Sequence, residues 1–438
     1  MFYGIISYET TITSTRDSKE MKNLGQYILN LINKSVNLPR YLLLLLCLYV
    51  YIYNPIFQVL GFGVIKILLF ISLIYILISN KLSFIITNYK NEIIFTYFLI
   101  TYAFISAVFG DGSAIVTPYQ HLIWFLECFI IPCFLLFFFK DIFKKISWES
   151  VIIITGFIAS VITLYLVLNP DLNIIIRNNI IIDTRDTVIR ADAAGDYRGF
   201  TIAESSMFGY GVVQGIILVL CLYFIRKNFL NIIPVIFLFI SIIFNARIGL
   251  AVLIIFIPLL IIYKRLKLSN LIILCVLLIS GYYVLSGMDF FEEYKETLEW
   301  GMNFYKDAES YLRGEEKISN YTLLVEYMLF FPKNLSGLIF GEGRNVYGLG
   351  IGIGSDIGYV NQIFTGGLIY LSLMLAFLGY SFKRLYSHST DKLIPVLFFL
   401  TIIAVNIKGI VFFIPHGFLR LISFYYVYKI SFNEGDKQ

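Results

Sequence analysis

Six basic residues, Lys66, Arg198, Arg247, Arg344, Lys408 and Arg420, stand at the ends of long apolar runs or in the polar stretches between them. A cation held against hydrocarbon is costly unless it snorkels to water or finds an anion. Lys66, Lys408 and Arg420 each lie about one turn inside a run, where snorkelling or a local ion pair serves as well as a ligand. Arg247 is different, because the turn Asn245-Ala246-Arg247-Ile248-Gly249 joins two runs almost directly and leaves its guanidinium at their mouth. Arg198 stands among Asp192, Asp196 and Glu204, so an ordinary surface ion pair competes with a binding role. Arg344 closes Gly341-Glu342-Gly343-Arg344, followed by Gly348, Gly350, Gly352 and Gly354 and then by Ser355-Asp356-Ile357-Gly358. Glycines let backbone N–H groups approach an anion and an arginine adds a bidentate phosphate donor, although a flexible or re-entrant loop would be equally rich in glycine.

Candidates for proton chemistry are few. His416 and Arg420 are four residues apart and share a helical face just after Pro415; a histidine at a span end acts either chemically or as an interfacial hydrogen-bonder. His121 lies near the same surface and His388 near the opposite one. Glu127 is the one acid deep in an apolar run and needs a partner or a proton. No nucleotide-binding G-x-x-x-x-G-K-[ST], no H-E-x-x-H, no G-x-S-x-G and no closely spaced Asp-x-Asp occurs, so the sequence carries no expectation of a metal or other cofactor.

The elements that must hold these residues follow from composition. Of 438 residues, 58% are hydrophobic and 14% charged, against about 25% charged in an ordinary soluble domain; mean hydropathy is +0.80. The chain is therefore read as all-α, a polytopic membrane protein with about twelve transmembrane helices: 41–59, 62–80, 93–109, 119–139, 150–169, 207–225, 230–245, 248–263, 269–286, 358–380, 393–411 and 415–430. Residues 1–40 form a polar N-terminal tail, in which 1–20 are either disordered or a misassigned start before Met21, and 431–438 form a C-terminal tail. The short connections carry Lys81 and Lys90, then Lys140, Lys144 and Lys145, then Arg226 and Lys227, then Lys264, Arg265 and Lys267, then Lys383, Arg384 and Lys392, which places them and both termini in the cytoplasm. Two long loops, 170–206 and 287–357, then face outward, and Lys66, Arg198, Arg247, Arg344, Lys408 and Arg420 lie at or just below that outer surface. All five cysteines fall in predicted spans, which excludes a disulfide framework and argues against a structural zinc site. A net charge of +5 with no long basic block gives no nucleic-acid role.

Arg247 in a short outer turn, a long outer loop closing with FGEGRNVYGLGIGIGSDIGYVNQIFTGGLIY, and a late Lys408-Gly409 resemble the O-antigen polymerases of the Wzy-dependent pathway, over about residues 195 to 425. Arg198 through Gly209 fits the R-x10-G pattern of some members, whereas Arg344-x9-Gly354 falls one residue short. The resemblance implies a polymerase in the cell inner membrane, moving a growing glycan from one undecaprenyl diphosphate carrier to the sugar end of another. Its partners would be the lipid-linked donor and acceptor, membrane lipids and a chain-length regulator. On this reading Arg198, Arg247, Arg344, Lys408 and Arg420 bind the diphosphate, and Asp356, His416 and Glu204 are candidates to deprotonate or align the acceptor hydroxyl. An O-antigen ligase would share the chemistry, but such ligases carry a histidine in the large outer loop and 287–357 has none. A lipid-linked oligosaccharide flippase would place ionisable residues deep in broken spans.

Overall fold

The computed structural model describes residues 37–180, 201–204, 208–224, 232–245, 248–263, 313–314, 323–347 and 354–435. The described chain is helical: α1 Leu38–Tyr53, α2 Ile65–Ile78, α3 Leu82–Asn88, α4 Lys90–Phe109, α5 Val116–Phe138, α6 Trp148–Val167, α7 Pro170–Asn179, α8 Phe208–Phe224, α9 Ile232–Asn245, α10 Ile248–Ile262, α11 Gly358–His388, α12 Leu393–Val405 and α13 Gly417–Gly435. Eleven of the twelve expected spans thus coincide with helices, and 269–286 lies outside the described residues. Length narrows the assignment. Among the described residues four helices, α4, α5, α6 and α11, are long and apolar enough to cross a membrane, or five if α2 and α3, bent by 99° at their junction, make one span. Helices such as α1, with 16 residues, fall short of the roughly 20 that a bilayer core requires.

The ends of these helices have local causes. Asn37 caps α1 with Pro39 in its first turn, and Asn54, in the left-handed region at φ 41°, stops it well before the expected boundary at 59. Within α5, Leu126–Ile130 form one π-helical turn. Pro132 follows it; a proline ring collides with the carbonyl four residues back, and widening the helix relieves that contact.

The exterior is apolar, unlike that of a soluble protein, and polar side chains are set within an otherwise apolar interior. Leu42, Leu46, Phe70, Ile78, Phe98 and Phe109 are exposed, while Ser72, Thr96, Ser160, Thr163, Ser241 and Asn245 are buried, as expected where lipid meets the outside. Buried hydroxyls tie helices together: Ser160 Oγ reaches Ser241 Oγ at 3.2 Å between α6 and α9, and Thr163 reaches the Tyr210 hydroxyl of α8 at 2.8 Å. On α8, Gly211-x-x-x-Gly215 packs backbone to backbone with Gly249 of α10, so close that a Cβ at Gly249 would stand 2.4 Å from the Gly211 carbonyl. This is the close approach that small residues permit between helices in lipid.

One buried charge was misplaced by the sequence. The span expected at 93–109 leaves Glu92 outside, whereas α4 begins at Lys90 and buries Glu92 completely. Arg384 Nη1 of α11 meets its carboxylate at 2.6 Å, and the Tyr426 hydroxyl donates to the same oxygen. Arg384→Ala removes the cation that pairs with this buried carboxylate and is expected to cost about 1.5–3 kcal/mol. A shortened half-life of the detergent-solubilised protein at fixed temperature checks it, and Arg384→Lys should recover part of the loss.

Candidate functional site: a polar cavity over a buried charge cluster

The helix α11 is two helices joined at Gly367, whose φ of 72° and ψ of −170° no other residue adopts readily. The break frees carbonyls that would otherwise accept in-helix bonds. The loop after the short helix Leu335–Phe340 supplies the missing donors: Glu342 N–H and Arg344 N–H donate to the Phe364 carbonyl at 2.8 and 3.3 Å, and Ser106 Oγ of α4 donates to the Thr365 carbonyl. The loop is fixed in turn against the turn between α4 and α5, with Asp111 N–H on the Glu342 carbonyl at 2.7 Å and Ala114 N–H on the Gly343 carbonyl at 3.0 Å. Gly341 and Gly343 of the FGEGR motif serve close packing, a role that neither the anion-cradle nor the flexible-loop reading of the glycines named. Gly348, Gly350 and Gly352 lie outside the described residues.

Beside the break lies a cavity of about 310 Å³, lined by Gln120 and His121 from α5, Asn345 and Tyr347 from the loop, Asn361, Gln362 and Tyr370 from both halves of α11, and His416 before α13. Its polar groups are locked from behind. Gln362 and Asn406 pair amide to amide through two hydrogen bonds of 3.1 Å. Asn361 Nδ2 donates to the carbonyls of Ser355 at 2.7 Å and Ile357 at 3.0 Å. His416 Nε2 lies 3.1 Å from the Ile410 carbonyl; a carbonyl only accepts, so that nitrogen carries the proton and Nδ1 of the neutral ring is left as an acceptor. The same logic puts the His121 proton on Nδ1, 2.9 Å from the Phe413 carbonyl, with Nε2 accepting from the Tyr370 hydroxyl.

Directly beneath His416 is a cluster of four charges. Arg420, 1% exposed, donates through Nε to Glu127 at 2.9 Å, through Nη1 and Nη2 to the two oxygens of Glu204 at 2.6 and 3.2 Å, and through Nη2 to the Pro415 carbonyl at 2.9 Å. Lys66 Nζ reaches the other Glu127 oxygen at 2.7 Å. Two cations thus face two carboxylates, which makes their burial tolerable. Local structure aims each member: Asn54, held at the end of α1, donates to Glu204 and accepts from Ile65 N–H at the start of α2, Glu204 N–H donates to the Tyr53 carbonyl at 2.8 Å, and the π turn carries Glu127. Burial raises the Glu204 carboxyl above its ordinary range, and the Arg420 guanidinium draws it back down.

The residues singled out by sequence divide as follows. Glu204 and Arg420 are brought together, as partners of one another rather than in separate roles, and Lys66 and Arg420 each find the anion that an ion-pair reading required. Glu127 finds its partners in both. His416 lines the cavity; Arg344 and Lys408 are the chain neighbours of the lining residues Asn345 and Gly409, Arg344 half-buried and Lys408 exposed. Asp356 is half-buried between Ser355 and Ile357 and does not line the cavity. Arg198 and Arg247 lie outside the described residues. Sequence reasoning passed over Gln120, Asn345, Asn361 and Gln362. The available signal was adjacent amides at the start of an apolar span with another, Asn406, late in the next, since buried amides must find partners. Among the described residues no group of three or more metal-ligating side chains converges.

Fold and site define an all-helical protein with membrane-length apolar helices and a polar cavity at one end of the bundle. Comparison of the chain with protein-family models, curated proteins and solved structures finds no match.

Proposed function

We propose that the chain is an inner-membrane polymerase of undecaprenyl-diphosphate-linked oligosaccharide repeat units, building an O-antigen or capsule-type polysaccharide at the outer face. In this reading the twelve helical segments of the sequence are spans, both termini are cytoplasmic, and 170–206 and 287–357 face outward. The observation that carries it is the polar cavity, whose described lining residues are uncharged, with His416 among them and Arg344 and Lys408 next to the lining along the chain. The acceptor sugar's hydroxyl oxygen attacks the anomeric carbon of the donor, the carbon–oxygen bond to the diphosphate breaks with its electron pair, and the hydroxyl proton passes to a base. His416, a lining residue whose Nδ1 is left as an acceptor, is the candidate base; Glu204 is engaged by Arg420, and Asp356 is not among the lining residues. Arg198, Arg247, Arg344 and Lys408 are the cations assigned to the leaving diphosphate, and Arg420 acts from behind by holding the backbone of Pro415 and His416.

The test is the polysaccharide ladder of cells lacking this chain. Loss of long chains with a single repeat retained is the expected result. Complementation with Arg198→Ala, Arg247→Ala or Arg344→Ala should restore protein to the membrane but little polymer, and full polymer from all three would remove the diphosphate assignment. A second reading, a lipid-linked oligosaccharide flippase, is supported by the break at Gly367 beside a polar cavity, a feature of transporter sites. Loss of every repeat from the ladder would favour it, or a ligase, over the polymerase.

A further inference from the structure

The polar cavity has an apolar neighbour. A second cavity, of about 80 Å³, lies between α5, α11, α12 and α13, and half of its described lining residues are aromatic, among them Trp124, Phe129, Phe398 and Phe412. The two cavities follow one another along α11. Tyr370 and Met374 line the polar one and Leu378, Ser381 and Leu385 the apolar one, and at spacings of three and four residues all five share one helical face. Phe412 belongs to both linings. Beside it Phe413, in the apolar lining, stacks on Phe377 with ring centroids 4.9 Å apart and meets Trp124 edge-on at 4.8 Å. Its carbonyl accepts from Nδ1 of His121, a residue of the polar lining, so one segment forms the partition between the two spaces.

We infer that the two cavities form one amphipathic site for the lipid-linked glycan, in which the apolar cavity holds a stretch of the carrier's isoprenoid chain. The inference rests on the glycan-transfer reading and adds where the carrier's chain is held. An apolar cavity stays dry, and left empty it forfeits the contacts its walls would make, so the occupant that suits it is an apolar group. A polar recess followed directly by an apolar one fits a molecule that is polar at one end and apolar at the other. An isoprenoid chain, stiffened by a double bond in every unit, loses less freedom when held than a saturated acyl chain does, and its methyl branches give it bulk to set against ring faces. The wall also leads outward. Phe382, half-buried, packs on the half-buried Phe399 at 4.6 Å and on Tyr386 at 5.6 Å, and Tyr386 is exposed at the surface of the bundle. The rest of the chain is left in the bilayer.

The experiment uses the full-length protein in lipid nanodiscs and, as probe, geranylgeraniol carrying a diazirine at the far end of its chain, an uncharged alcohol that separates the chain from the diphosphate. After irradiation, peptide mass mapping should place the label on 378–385, 395–402 or 419–426. Untagged geranylgeraniol should displace it, and octadecanol at the same concentration should not. Ser381→Trp, at a half-buried wall position of α11, and Ile402→Trp, in the α12 wall, should each lower labelling of these stretches about tenfold, an effect of about 1.4 kcal/mol. The label map of the unaltered protein decides the matter even where a variant fails to fold. Label confined to other segments, equal displacement by octadecanol, which would make the cavity a site for bilayer acyl chains, or labelling indifferent to a folded variant overturns the inference. The two readings fail separately: label in the cavity with an unaltered ladder in cells lacking the chain removes the polymerase and keeps the chain site, and a lost ladder with no label there does the reverse.

Discussion

Arg420→Ala is expected to destabilise the protein by about 3–5 kcal/mol, because it leaves Glu127 and Glu204 buried against each other with Lys66 as their one remaining cation in the cluster. Two carboxylates cannot both stay ionised there at that cost, so one takes up a proton or water enters. Arg420→Lys should recover only part, since an ammonium cannot span Glu127, both Glu204 oxygens and the Pro415 carbonyl at once. The informative variant combines Arg420→Met with Glu127→Gln and Glu204→Gln. With no formal charge left except Lys66, most of the stability should return, as it does when a buried ion pair is exchanged for neutral groups. Half-life in detergent at fixed temperature reads stability, and the polysaccharide ladder reads function. If the triple variant is stable and still makes polymer, the cluster is a structural support for His416 and nothing more; if it is stable without polymer, a charge in the cluster takes part in transfer.

Gly367→Ala comes second in expected effect. At φ 72° and ψ −170° an alanine sits in a region essentially restricted to glycine, and its Cβ would fall 2.2 Å from the Ile339 carbonyl oxygen and 2.5 Å from Gly341 N. Both neighbours are backbone, so neither can swing away. Strain of about 1–3 kcal/mol adds to an overpacking cost of about 1–3 kcal/mol. Relief is available only by straightening α11, which would take the Phe364 carbonyl from Glu342 and Arg344 and release the 341–344 loop from the end of α4. Limited proteolysis should then cut near Gly341 in the variant and not in the parent, with loss of polymer. Unchanged proteolysis and polymer would mean that the break at Gly367 is not needed to hold the loop.

The helical class and the positions of eleven helices were legible in the sequence because a backbone in lipid has to satisfy its own hydrogen bonds, so apolar runs announce helices with little help from context. Their ends were less so: α1 stops at the left-handed Asn54, and the use of that residue's amide by Ile65 and Glu204 involves positions 11 and 150 residues away. The same limit governed the site. That Glu127 required a partner followed from its place in an apolar run, and that cations such as Lys66 and Arg420 required anions followed likewise; which anion met which cation did not, because Arg420 and Glu127 are 293 residues apart. The glycines around Arg344 pointed with equal force to a phosphate cradle and to a flexible or re-entrant loop; the close packing of Gly341 and Gly343, against the broken helix and the end of α4, was in neither reading, because it depends on backbone from distant segments. His416 was visible as a histidine at a span end, but its tautomer depends on the Ile410 carbonyl and its neighbours across the cavity come from α5, α11 and the 345–347 loop. Composition and periodicity record what each segment needs to bury; the partners that meet the need are chosen when the segments pack.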